Sequence, residues 1–157
     1  MSAHSYSLKM KWTGNLGTGT SNYRVYERNH TISFENKPDL LASADPTFRG
    51  DPSKYNPEEL LLAALSGCHM MSFLHVCVNS GIVVTAYEDQ ATGSMTVNSD
   101  GSGHFTEVIL NPVVTVAEIS MTENLDALHS KANKLCFIAN SCNFPILHKA
   151  TSKSETI

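Results

Sequence analysis

The sequence predicts an α+β fold in the order βββ-α-βββ-α, with helices packed against antiparallel sheets, and three observations carry that prediction. Tyr6, Leu8, Met10 and Trp12 alternate with Ser7, Lys9, Lys11 and Thr13, the period-two pattern of a half-buried strand. A capped apolar run then extends from Asn56 to Gly81, the pattern of one long helix. Beyond it, the turn Asn98-Ser99-Asp100-Gly101-Ser102-Gly103 separates two strand-like segments, the mark of a hairpin. Strands before and after a helix, joined by hairpins, place helices against antiparallel sheet.

Taken in order, Tyr6 to Thr13 is a first strand, and the glycine-rich turn Gly14-Asn15-Leu16-Gly17 leads to a returning strand over Ser21 to Glu27. Arg28-Asn29-His30 is a second turn, and Thr31 to Phe34 completes a three-stranded meander. Asn36 to Tyr55, with Pro38, Pro46, Gly50 and Pro52, reads as a long irregular loop, a class usually disordered or functional. Asn56 is the N-cap of the first helix, Pro57 its N1 residue and Glu59 the reciprocal partner of a capping box. With Gly81 at C′ the helix spans about 24 residues, roughly 36 Å. Gly67 inside it costs about 1 kcal/mol against Ala, so it is expected to mark a close backbone approach or a break.

Ile82 to Tyr87 and Ala91 to Val97 follow as strands, and His104 to Val116 returns, with Pro112 at an edge or bulge. Ser120-Met121-Thr122-Glu123 is a second capping box, opening a helix to Asn140 whose stripe of Leu125, Leu128, Ala132, Leu135, Cys136 and Ala139 turns Cys136 to the core. The tail from Thr151 to Ile157 is too polar to suggest a final strand.

The 157 residues fit one domain, 1–157, and 41% hydrophobic with 17% charged residues is the composition of an ordinary globule. A net charge of −4 without any Lys/Arg cluster argues against nucleic acid and against an anionic membrane surface. Leu60 to Val78 carries no Asp, Glu, Lys or Arg, yet Ser66, Gly67, His69, Ser72 and His75 interrupt it, which favours a core helix or an oligomer interface over a membrane span. Met1 to Met10 lacks the apolar stretch of a signal peptide, so the expected location is cytoplasmic. There the four cysteines are free thiols, catalytic or buried, rather than a disulfide framework.

Cys68, deep in the first helix, and Cys136, near the end of the second, are the two thiols in unlike settings. A thiol reacts as its thiolate, and an apolar helix raises rather than lowers a thiol pKa. Cys68 therefore needs a cation, and its own helix supplies none. His75 lies at i+7, about 10 Å along the axis, and His69 points about 100° away. Cys77 lies on the opposite face, so it cannot bond to Cys68 while the helix is intact. The cation comes from a loop or another chain, and the arginines are Arg24, Arg28 and Arg49. Arg49 stands in the loop just before the helix, and Glu58 in the first helical turn is placed to hold it by a bidentate pair. No CxxC and no His pair at i, i+4 points to a metal, and no cofactor motif is present.

Asn56-Pro57-Glu58-Glu59-Leu60-Leu61-Leu62-Ala63-Ala64-Leu65-Ser66-Gly67-Cys68, followed by Lys131-Ala132-Asn133-Lys134-Leu135-Cys136, resembles the OsmC/Ohr family of osmotically inducible and organic hydroperoxide resistance proteins. The first turn, Gly14-Asn15-Leu16-Gly17, lacks the Gly-Arg-Asp element of the Ohr branch, which favours the OsmC-like branch. The resemblance implies an intertwined homodimer with its long helices buried centrally. It implies a thiol peroxidase for organic hydroperoxides, with Cys68 the peroxidatic nucleophile, Cys136 the resolving thiol and Glu58 the partner of the catalytic arginine. Arg49 is the first choice for that arginine and Arg24 the second; Cys142 stays open as a competing resolving thiol. A dithiol, by analogy a lipoyl group, is the implied reductant. The rivals are a non-catalytic module that binds an apolar ligand and a thiol oxidoreductase acting on another electrophile.

Overall fold

The computed structural model describes residues 3–156. Met1 and Ser2, where the N-terminal reading begins, and Ile157, where the tail reading ends, lie outside the described residues. The strands are β1 (Lys9–Trp12), β2 (His30–Ser33), β3 (Leu40–Ala42), β4 (Val84–Asp89), β5 (Thr92–Val97), β6 (Gly103–Leu110), β7 (Pro112–Glu118), β8 (Ile146–His148) and β9 (Thr151–Thr156). Helix α1 (Pro57–Asn79) follows β3, and α2 (Leu125–Leu135) follows β7. The α+β class holds, and the chain forms two compact units that divide after Leu61.

In the N-terminal unit β1, β2 and β3 form an antiparallel sheet, with Trp12 opposite His30 and His30 opposite Ala42. The segment expected as the third strand is β2, and the returning strand expected over Ser21–Glu27 does not form. That stretch is held instead by local bonds: Trp12 Nε1 donates to the Glu27 carbonyl at 2.8 Å, and the Arg28 guanidinium lies 4.2 and 4.1 Å from the Tyr23 and Tyr26 ring centres. The loop expected to be irregular supplies β3 and a 3-10 turn, Pro46–Phe48, capped by Asp45, whose carboxylate accepts from Thr47 N–H at 2.7 Å. All four residues of β1 are exposed, so its apolar face is uncovered in the single chain rather than half-buried.

Helix α1 starts where the capping box requires. Glu59 N–H donates to Asn56 Oδ1 at 2.8 Å, and Asn56 N–H donates to Glu59 Oε2 at 3.1 Å. It ends at Asn79, where Gly81 adopts φ +71 and Ile82 N–H reaches the Cys77 carbonyl at 3.0 Å, a left-handed stop that glycine tolerates without a Cβ penalty. Gly67 does not break the helix, and a Cβ there would meet no atom within 4 Å, so neither expected reason for that glycine holds in the single chain.

In the C-terminal unit the expected return strand His104–Val116 divides at Asn111 into β6 and β7, which lie in different sheets. Pro112 is the first residue of β7, a position that asks no ladder N–H of it. Asp89, at the matching corner, accepts from Asn111 N–H at 2.7 Å and from the Ser66 hydroxyl. The sheets run β4-β7-β9 and β5-β6-β8, with β9 parallel to β7 and β8 parallel to β6. The polar tail therefore does form a strand: an edge position needs ladder bonds from its backbone more than apolar side chains.

The core of this unit packs Phe73, Val76 and Cys77 of α1 against Val114 and Val116 of β7 and Leu125 and Ala132 of α2. Full burial of a side chain such as Phe73 contributes about 1.5–3 kcal/mol. By length and composition α1 could cross a membrane; in the single chain its Phe73, Val76 and Cys77 face the core, and 28% of its most apolar stretch is buried.

Candidate active site

The second helix is shorter than its sequence pattern. Ser120 does not cap it, since Ile119–Thr122 is a 3-10 turn, and α2 begins at Leu125 with Asn124 as its N-cap. It stops at Leu135, where Cys136 takes an extended conformation of φ −72, ψ 108. Asn140 closes that end: its side-chain amide donates to the Lys134 carbonyl at 3.0 Å and its backbone N–H to the Cys136 carbonyl at 3.0 Å. The buried stripe is Leu125, His129, Ala132 and Cys136, while Leu135, expected inside, is exposed.

This turn presents the Cys136 sulfur to α1. Cys136 is buried, its sulfur accepts from Ala139 N–H at 3.4 Å, and Cys68 is the neighbouring thiol that acts on it. Burial, then the neighbouring Cys68, pushes the Cys136 thiol up to about 11, against the smaller opposing effect of the Ala139 N–H. A thiol raised in this way keeps its proton near neutral pH. The two thiols singled out in the sequence thus meet, across a separation of sixty-eight residues.

Cys68 itself is half-buried and opens onto an apolar groove of about 420 Å³, lined also by Met71, Ser72, His75, Leu135 and Phe137. Cys77 is buried on the core side, where desolvation pushes its thiol up to about 11, as expected of an inert packing residue. Cys142 donates to the Ile138 carbonyl at 3.3 Å, and burial raises its thiol pKa.

Arg49 and Glu58 belong to the N-terminal unit, and they are not paired: among the described residues the ion pair joins Lys54 to Asp51. Glu58 is half-buried in the first turn of α1. Arg49 is exposed and holds φ +65, a left-handed value that costs a non-glycine residue about 1–2 kcal/mol. Gly50 secures the turn, since a Cβ there would fall 1.5 Å from the Ala44 carbonyl oxygen. Strain of this kind clusters at functional positions. Arg24 is exposed in the Ser21–Glu27 segment, and Arg28 is engaged by the carbonyls of Tyr26 and Tyr23 at 2.6 and 2.9 Å.

One group of residues was not anticipated. His69, next to Cys68, bonds through Nε2 to His129 Nδ1 at 3.0 Å, and His148 of β8 lies 5.8 and 5.7 Å from the two rings. Phe73 stacks on His129 at 3.8 Å. Desolvation, then the neighbouring His148, lowers His69 to about 4, while Asp89 opposes; desolvation, then His69 and His148, lowers His129 to about 3. The available signal was the position of His129 on the same helical face as Leu125 and Ala132. Among the described residues no group of three or more His, Cys, Asp or Glu is arranged to hold a metal.

This frame, with a thiol of the long helix meeting a thiol at the end of the second, defines a class of α+β thiol proteins. The family model described as OsmC-like protein matches residues 50–149, and the chain belongs to that family. A solved OsmC-like protein of unknown function from Vibrio cholerae is 31% identical, with a TM-score of 0.84, over 95% of this chain and 100% of that one. An organic hydroperoxide resistance protein from Elizabethkingia anophelis is 19% identical, TM-score 0.67, over 97% and 99% of the two chains. A structure from Legionella pneumophila described as an organic hydroperoxide resistance protein OsmC is 16% identical, TM-score 0.69, over 98% and 99%. No match is found among the curated proteins.

Proposed function

We propose that this protein is a thiol peroxidase that reduces organic hydroperoxides to alcohols, with residues 1–157 acting as one domain. The neighbouring thiols Cys68 and Cys136, one of them open to a groove, carry the reading, because a binding module needs neither thiol and an inert pair needs no access. The Cys68 thiolate attacks the terminal oxygen of ROOH, the O–O bond breaks, and ROH leaves with a proton. Cys68 is then a sulfenic acid, oxidised by two electrons. The Cys136 sulfur gives up its proton and attacks that sulfur; the S–S bond forms and water leaves. A dithiol reductant, by analogy a lipoyl group, restores both thiols by two exchanges and becomes a disulfide itself.

The groove beside Cys68 favours an alkyl chain over hydrogen peroxide, which has no apolar surface to bury. Arg49 supplies the cation and Glu58 orients it. A homodimer gives cover to Met71 and Val78 of α1, which are 63% and 75% exposed, and to the apolar side chains of β1. The working location is the cytoplasm, where reduced thiols persist.

Stopped-flow oxidation by cumene hydroperoxide and by hydrogen peroxide tests the reading. Oxidation faster with the organic peroxide, and abolished in Cys68→Ser, is the expected result. A Cys68→Ser protein that consumes peroxide as fast as the native one removes the proposal. The same groove favours one second reading, passive binding of an apolar ligand, and that outcome would select it.

A further inference from the structure

We propose that His69 and His129 are a positioning pair that holds the cysteine-bearing helices in the register needed for disulfide formation. The inference rests on the peroxidase reading only for the identity of the oxidant. His69 adjoins Cys68 on α1, and His129 lies on α2 two helical turns, about 10 Å, before Cys136. Their 3.0 Å bond is the hydrogen bond that joins the two helices among the described residues.

An apolar pair would fill this space at lower cost. Both rings are buried, at 1% and 0% exposure, and His69 Nδ1 and His129 Nε2 have no partner. An unsatisfied buried polar atom costs about 1–3 kcal/mol. What the imidazoles add is direction. The apolar contacts of Phe73, Val76 and Cys77 with Leu125 and Ala132 tolerate sliding of one helix past the other, whereas a hydrogen bond between two ring nitrogens does not. The surrounding groups leave the bond uncontested. Asp89, the nearby carboxylate, is taken by Ser66 and Asn111, and Phe73 fixes the plane of His129. Register matters here because a disulfide requires its Cβ atoms about 3.8 Å apart and a dihedral near 90°.

The test is the thiol–disulfide equilibrium of the full chain with dithiothreitol near neutral pH, which needs no peroxide. His129→Leu, close in size and without a hydrogen bond, should lower the effective concentration of the Cys68–Cys136 pair about fivefold, the worth of one net hydrogen bond. His129→Asn, whose amide falls where Nδ1 stood, should restore most of it. Both variants can lose thermal stability; only a positioning role separates them in this equilibrium. Equal effective concentrations in His129→Leu and the native chain, or an equal fall in both variants, overturns the proposal. Where His129→Leu does not fold, His69→Leu and His69→Gln are read in the same way. A native chain that forms the disulfide with oxidised dithiothreitol but loses no thiol to cumene hydroperoxide refutes the peroxidase reading and leaves this comparison intact.

Discussion

The Cys136 thiol, at the extended C-cap of α2, neighbours Cys68 in the middle of α1, which helps to raise its pKa. Cys68 opens onto the groove, whereas Cys136 is buried and holds its proton. In the proposed reaction the half-buried thiol meets the substrate, and the covered one waits for the oxidised product of that encounter.

Cys136→Ser should therefore leave the first oxidation of Cys68 within about twofold of native and stop the reaction at the sulfenic acid. Dimedone labelling followed by peptide mass measurement should find the adduct on Cys68. A disulfide from Cys68 to Cys142 in that variant would instead give the resolving role to Cys142.

Reduced protein should also alkylate unevenly. A thiol pushed up to about 11 is almost wholly protonated near neutral pH, so Cys136 and Cys77 should react with iodoacetamide at least about tenfold more slowly than Cys68. Timed alkylation with peptide mapping reads the order directly.

Arg49→Ala should slow Cys68 oxidation about a hundredfold, in the range for removing one donor from developing negative charge, with Arg24→Ala near native. Stopped-flow traces of both variants check this, and the reverse order would move the role to Arg24.

The buried imidazoles make stability depend on acid. His69 and His129 are lowered in the folded chain, so the unfolded chain takes up their protons first as pH falls. Their contribution is complete above the ordinary histidine value near 6.5 and is lost below it, down to about 4 for His69 and about 3 for His129, at up to about 1.4 kcal/mol per pH unit for each ring. Asp89, His148 and Tyr87 face the same region. Urea midpoints measured from neutral to about pH 5 should fall less steeply in His129→Asn than in the native chain.

Asn56→Ala should cost about 1 kcal/mol of stability by removing the cap that Glu59 N–H uses. Thermal melts at neutral pH measure it.

How far the sequence was legible follows from the range of each signal. Asn56, Glu59 and Gly81 mark both ends of α1 because caps and left-handed stops are local chemistry. The end of α2 was misplaced because its stripe continues past Leu135, while the carbonyls freed there are satisfied by Asn140, a side chain with no periodic mark. Strand β9 is polar and gains its place only from pairing with β7, which lies far away in the chain. Cys68 and Cys136 stood out by their settings in the sequence, but the His69–His129 bond did not, since it joins residues sixty positions apart that each look like packing. Arg49 stands in a built turn rather than an irregular loop, and the Asp45 cap is the local signal that could have shown it.

The most direct test of the account is the thiol titre and disulfide map of native protein after one equivalent of cumene hydroperoxide. Of the four thiols two should remain, with the bond between Cys68 and Cys136. Four remaining thiols, or a bond that leaves out Cys68, would contradict it.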